Sequence, residues 1–146
     1  KDAFKYTVEE LTKFAIECGA NVIVGPEARG FLFGAPVAFN ANMGFVPVRK
    51  PHKLPREQVT YTYDLEYGQD TLCMHKDSLK KGDKVVIIDD LVAVGGTIDA
   101  TAHMINELGA EVVGVGCVIA LKGLPGIENL PKKYKFKALL ELSDEE

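Results

Sequence analysis

Val85-Val86-Ile87-Ile88-Asp89-Asp90-Leu91-Val92-Ala93-Val94-Gly95-Gly96-Thr97 joins four β-branched residues, an acid pair, a short apolar stretch and two glycines to a helical pattern. The β-branched run suits a strand buried on both faces, as in a parallel sheet covered by helices. From Thr97 to Leu108 apolar residues recur at helical spacing and Gly109 closes the pattern, which predicts a strand, a loop at 89–96 and a helix. Ligands of such sheets sit at the carboxyl ends of the strands. There Gly95 and Gly96 let backbone N–H groups close on an anion, and the helix dipole favours negative charge. Thr97 can add a hydroxyl donor, while Asp89 and Asp90 can accept from two hydroxyls of a ribose. The spacing suits a ribose 5-phosphate. No Lys follows Gly96-Thr97, which rules against a Walker A loop. Two plainer readings stand beside this one: the acid pair as the magnesium site of a flavodoxin-like receiver, and Gly-Gly as a simple helix start.

Outward from this unit the same grammar repeats. Thr7 and Glu10 form a capping-box pattern, and Val8, Leu11, Ala15 and Cys18 share a face until Gly19, predicting a first helix over about 8–18. Residues 21–25 read as a buried strand, about 31–42 as a helix with Gly44 beyond its end, and 45–48 as a strand in which Pro47 argues against a central place. From Arg49 to His75 the pattern breaks into two alternating runs around Gly68, which predicts a hairpin-like excursion from the sheet. Residues 112–119 supply a further strand and 136–142 a possible last one. Alternating strands and helices predict an α/β fold, a mostly parallel twisted sheet with helices on both faces, in one domain over 1–146 with an excursion at about 49–75.

Composition narrows the function classes. At 47% hydrophobic and 26% charged, the chain is expected to pack a core and not to be disordered. A net charge of −4 gives no global basic field for nucleic acid or an anionic membrane, so any phosphate site must be local. Cys18, Cys73 and Cys117 show no metal-ligand or CxxC spacing and read as reduced core thiols. No membrane span or signal peptide is read, which points to the cytoplasm. His52, His75 and His103 suggest no metal site, and Asp144-Glu145-Glu146 reads as a solvated tail.

Two further places are chemically loaded. Arg29 follows the first strand in Pro26-Glu27-Ala28-Arg29-Gly30, placed to meet an oxyanion, with a surface pair to Glu27 as the plain alternative. Arg49, Lys50, Lys53 and Arg56 put four cations within eight residues past another strand, where a solvated loop is the usual meaning.

The segment from Asp89 to Thr97 resembles the phosphoribosyl pyrophosphate (PRPP) signature of the type I phosphoribosyltransferases. Glu27-Ala28-Arg29-Gly30-Phe31-Leu32-Phe33-Gly34, Val48-Arg49-Lys50-Pro51 with Lys53-Leu54-Pro55-Arg56, and Tyr63-Asp64-Leu65-Glu66-Tyr67-Gly68, in that order, are similar to the bacterial members that act on adenine. The resemblance implies that Asp89, Asp90, Ala93, Val94, Gly95, Gly96 and Thr97 hold the ribose phosphate, and that Arg29, Arg49, Lys50 and Lys53 hold pyrophosphate. It implies Glu66 as the base that takes the purine proton, on a lid with Tyr63, Tyr67 and the hinge Gly68. Mg2+ is expected to be carried by PRPP and pyrophosphate without a dedicated protein ligand set. A homodimer is implied, as is an N-terminal hood segment that this sequence does not include. Val94 departs from the family, which usually has Thr there as a phosphate donor. Another purine, or PRPP sensing without catalysis, remains the alternative.

Overall fold

The computed structural model describes residues 1–65, 67–93 and 95–143. The expectations for Glu66, Val94 and the acidic tail Asp144-Glu145-Glu146 therefore lie outside the described residues. The chain runs α1 (Asp2–Glu17), β1 (Val22–Pro26), α2 (Phe31–Ala41), β2 (Gly44–Val48), β3 (Gln58–Leu65), β4 (Gly68–His75), β5 (Lys84–Val92), α3 (Gly96–Glu107), β6 (Glu111–Lys122), α4 (Pro125–Lys133) and β7 (Phe136–Ser143). Five strands form a sheet in the order β2-β1-β5-β6-β7, and β3 pairs with β4 in a second, two-stranded sheet. Every pairing in the large sheet is parallel.

The β-branched run of β5 explains why it is central. Val85 and Ile87 face one layer with Val24, Val46 and the α3 residues Ile98, Ala102 and Ile105, while Val86 and Ile88 face the other with Ile23, Leu11 and Val37 from β1, α1 and α2. A side-chain period of two thus feeds both layers from one strand. Val85 to Ile88 are all fully buried, and each such side chain contributes about 1.5–3 kcal/mol of transfer free energy. β2, with Pro47, is an edge strand, as a residue without an N–H donor requires. The hairpin β3–β4 leaves the sheet but stays packed on it: Leu72 and Met74 join the α3-side core, and Arg49 pairs with Cys73 in an isolated antiparallel bridge.

Several boundaries differ from expectation. α1 begins at Asp2, five residues before the capping-box pattern, and the Thr7 hydroxyl donates to the Ala3 carbonyl at 2.8 Å, so Thr7 sits inside the helix. The cap at the end of α2 is Asn42 in the left-handed region (φ 55), while Gly44 opens β2. The segment expected as a loop at 89–96 is strand as far as Val92, because Asp89, Leu91 and Val92 pair with Cys117, Ile119 and Ala120. α4 went unread: Pro125 and Pro131 mask it, although Ile127 and Leu130 are buried. Cys73 and Cys117 are buried free thiols and Cys18 is half-buried. Burial, with the charge of Asp89 adding to it, pushes the Cys117 thiol up to about 12, which leaves it unreactive at neutral pH.

Candidate active site

The carboxyl end of β5 and the start of α3 enclose a hollow of about 150 Å³ lined by Asp89, Leu91, Val92, Ala93, Gly95, Gly96, Thr97 and Ile98. Gly95 caps α3 with φ 79, a conformation that opens the turn without a Cβ penalty. A Cβ on Gly96 would lie 3.2 Å from the Tyr63 ring, so the absent side chain lets the hairpin come down on the helix start. The first amides of α3 have no side-chain cap, which leaves donors at the hollow.

The acid pair divides into two environments. Burial, then the hydrogen bond and charge of Asp90, raise the Asp89 carboxyl to about 7, with Arg29 opposing the shift. Asp90 Oδ2 takes the Arg29 Nε at 2.9 Å. Arg29 therefore pairs across strands with Asp90, and not with its neighbour Glu27. Arg29 is 72% exposed; its other guanidinium nitrogens are additional donors. The turn after β1 also approaches the acid pair: a Cβ on Gly30 would meet Asp89 Oδ1 at 3.0 Å. The Glu27–Ala28 peptide in this turn is cis.

Glu27 instead organises the cations at the end of β2. Its Oε1 accepts from the backbone N–H of Lys50 and lies 3.4 Å from Arg49 Nε. Lys50 Nζ pairs with Asp70 on β4. Asp70 Oδ2 also accepts from the Tyr63 hydroxyl at 3.3 Å, and that hydroxyl lies 3.2 Å from Thr97 Oγ1. A chain of polar contacts thus runs from the hollow through the hairpin to Lys50.

Not every expected residue comes together. Lys53 is exposed, and Arg56 pairs at 3.3 Å with Asp77 on the surface. Tyr67 is 89% exposed, and Gly68 has φ 104 at the hairpin tip. Two residues at the centre of the arrangement, Glu27 and Asp70, were not singled out. Glu27 stood within a quoted motif, and Asp70 is the register partner of Tyr63, a relation visible only once β3 and β4 are aligned.

A five-stranded parallel sheet with an acid pair and a glycine-opened helix at its carboxyl edge is the type I phosphoribosyltransferase fold. The chain belongs to the phosphoribosyl transferase domain family, whose model matches residues 2–145. It is 51% identical over 140 residues to the adenine phosphoribosyltransferase of Alkaliphilus oremlandii, covering 96% of this chain and 81% of that protein. Among solved structures it is similar to the adenine phosphoribosyltransferase of Thermoanaerobacter pseudethanolicus, with a TM-score of 0.91, 45% identity, and 97% and 81% of the two chains covered. The Saccharomyces cerevisiae adenine phosphoribosyltransferase, solved with an imino-altritol bisphosphate and adenine, matches with a TM-score of 0.84 and 34% identity, over 91% and 77% of the two chains.

Proposed function

We propose that this chain transfers the 5-phosphoribosyl group of PRPP to adenine, giving AMP and pyrophosphate. The observation that carries the reading is the anion-sized hollow beside a two-acid strand end in a chain half identical to adenine phosphoribosyltransferases. The 5′-phosphate lies in the hollow against the amides of Gly95, Gly96 and Thr97 and the Thr97 hydroxyl. Asp89 and Asp90 accept from the two ribose hydroxyls. Val94 lacks the hydroxyl usual in the family.

The C1′–O bond to pyrophosphate breaks, the electron pair leaves with pyrophosphate, and the purine ring nitrogen forms the new bond at C1′. Positive charge grows on the ribose as the anion departs, so groups that hold pyrophosphate more tightly in the transition state accelerate the step. Arg29, Arg49, Lys50 and Lys53 are assigned that work. Arg29 can do it while holding Asp90, because Nε serves the carboxylate and the fork serves the anion. Glu66 takes the proton the purine loses, and the hairpin tip with Tyr67 and Gly68 closes to exclude water.

The donor set at the site is oxygen, Asp89 and Asp90, which fits a hard cation carried in by the substrate. Held there by substrate oxygens beside Asp89 and Asp90, such a cation would supply neutralisation of pyrophosphate charge. Two copies of the chain form the working unit, a reading supported by Leu32 and Phe39, which stand 62% and 90% exposed on α2. Three free cysteines suit a reducing compartment such as the cytoplasm. Competition among adenine, guanine, hypoxanthine and xanthine for PRPP tests the base. Preferential consumption of adenine is expected, and preference for another purine would replace adenine in the assignment.

A further inference from the structure

Lys50 does not face the pyrophosphate region as a free cation. Its ammonium, two residues past the end of β2, is paired with Asp70, a carboxylate on β4 of the two-stranded sheet. Burial alone would raise the Asp70 carboxyl, but the Lys50 hydrogen bond and charge, the Thr71 N–H and the Tyr63 hydroxyl together hold it below the usual carboxylate value. Asp70 is thus ionised at neutral pH and committed to the Lys50 ammonium. The same Oδ2 receives Tyr63, so the carboxylate is fixed by three donors, two of them from the hairpin itself. An anion arriving at Lys50 meets a cation whose charge is already half answered, with a negative group behind it.

We propose that Asp70 is a positioning residue that acts through Lys50. It holds the ammonium at the end of β2 when no anion is bound, yields it to pyrophosphate, and takes it back when pyrophosphate leaves. The inference rests on the assignment of Lys50 to pyrophosphate. Asp70 in this role keeps the affinity for the leaving group low, because every bound pyrophosphate must displace a carboxylate and sit near it. Tight product binding would slow release and waste binding energy in the ground state. The effect is electrostatic at a half-exposed pair, so it is moderate in size and sensitive to salt.

The test measures binding of inorganic pyrophosphate and of ribose 5-phosphate by calorimetry for the parent chain, Asp70→Asn, Lys50→Met and the double variant. Asp70→Asn is expected to bind pyrophosphate roughly three- to tenfold tighter at low salt, with the gain shrinking as salt is raised. In the Lys50→Met background the same change is expected to alter pyrophosphate affinity less than about twofold, since no ammonium remains to be released. Unchanged ribose 5-phosphate affinity would show that the fold is intact. Weaker or equal pyrophosphate binding by Asp70→Asn, or an equal gain with and without Lys50, overturns the role of Asp70. A parent that binds ribose 5-phosphate while Lys50→Met binds pyrophosphate as the parent does overturns the Lys50 assignment and the inference with it. A parent that binds neither probe overturns the phosphoribosyl reading itself.

Discussion

Asp89 carries a conflict between stability and function. Its folded value of about 7 stands above the ordinary 3.8, so between these two pH values the folded state keeps a proton that the unfolded state has released. Stability therefore falls as pH rises across that window, and the full penalty is present above it. One pKa unit is about 1.4 kcal/mol, so the penalty is on the order of a few kcal/mol. Asp89→Asn removes it. The variant is expected to melt above the parent at pH 8 and level with it at pH 4, while binding ribose 5-phosphate more weakly; a scan of melting temperature against pH checks the first, calorimetry the second. The acid pair, the glycines and Thr97 were legible because a strand, two acids and a helix start are contiguous in the chain. Glu27 and Asp70 were not, because their meaning comes from partners at long sequence separation, 23 residues for Glu27 and Lys50 and 20 for Lys50 and Asp70.

At the scale of elements, the hairpin β3–β4 was readable from its alternation, and the structure shows how it is held. Tyr61 stacks on His103 of α3 with centroids 4.2 Å apart, and Tyr63 reaches Thr97, so β3 is pinned to the helix that opens the hollow up to two residues from the hairpin tip. Among the described residues of the tip, Leu65 and Tyr67 are exposed. The closure proposed for the hairpin requires the tip to move while β3 stays on α3. Gly68→Pro, which cannot adopt φ 104, is expected to slow turnover about tenfold or more with ribose 5-phosphate affinity little changed. Glu66→Gln separates the proton from the gate: loss of a general base costs roughly 10²- to 10⁴-fold in single-turnover rate. A Gln variant within threefold of the parent beside a crippled Pro variant would leave the hairpin as a gate alone. The misread elements have a common cause. Local signals, Thr7 as a cap and Asp89 as a loop residue, were overruled by tertiary pairing: ahead of Thr7, Phe4 of α1 packs on Phe33 of α2 with ring centroids 5.8 Å apart, and β5 runs on because β6 offers it partners as far as Ala120.

For the whole molecule, the alternation of strands and helices was enough to predict a parallel sheet with two covered faces, since each four-residue apolar run demands burial on both sides. Which strand neighbours which, and that β7 pairs parallel to β6, depended on crossovers that no local pattern encodes. The exposed apolar residues of α2 bear on assembly: sedimentation of the chain is expected to give a dimer, and a monomer of full activity at every concentration would remove the partner from the account. The reaction itself leaves a direct signal. Phosphorus NMR on the chain with PRPP, adenine and Mg2+ reads it directly. AMP and pyrophosphate are expected to appear together in equal amounts, at a rate that depends on Asp89 and Asp90. Unchanged PRPP, or its breakdown to ribose 5-phosphate and pyrophosphate without AMP, would contradict the proposed reaction.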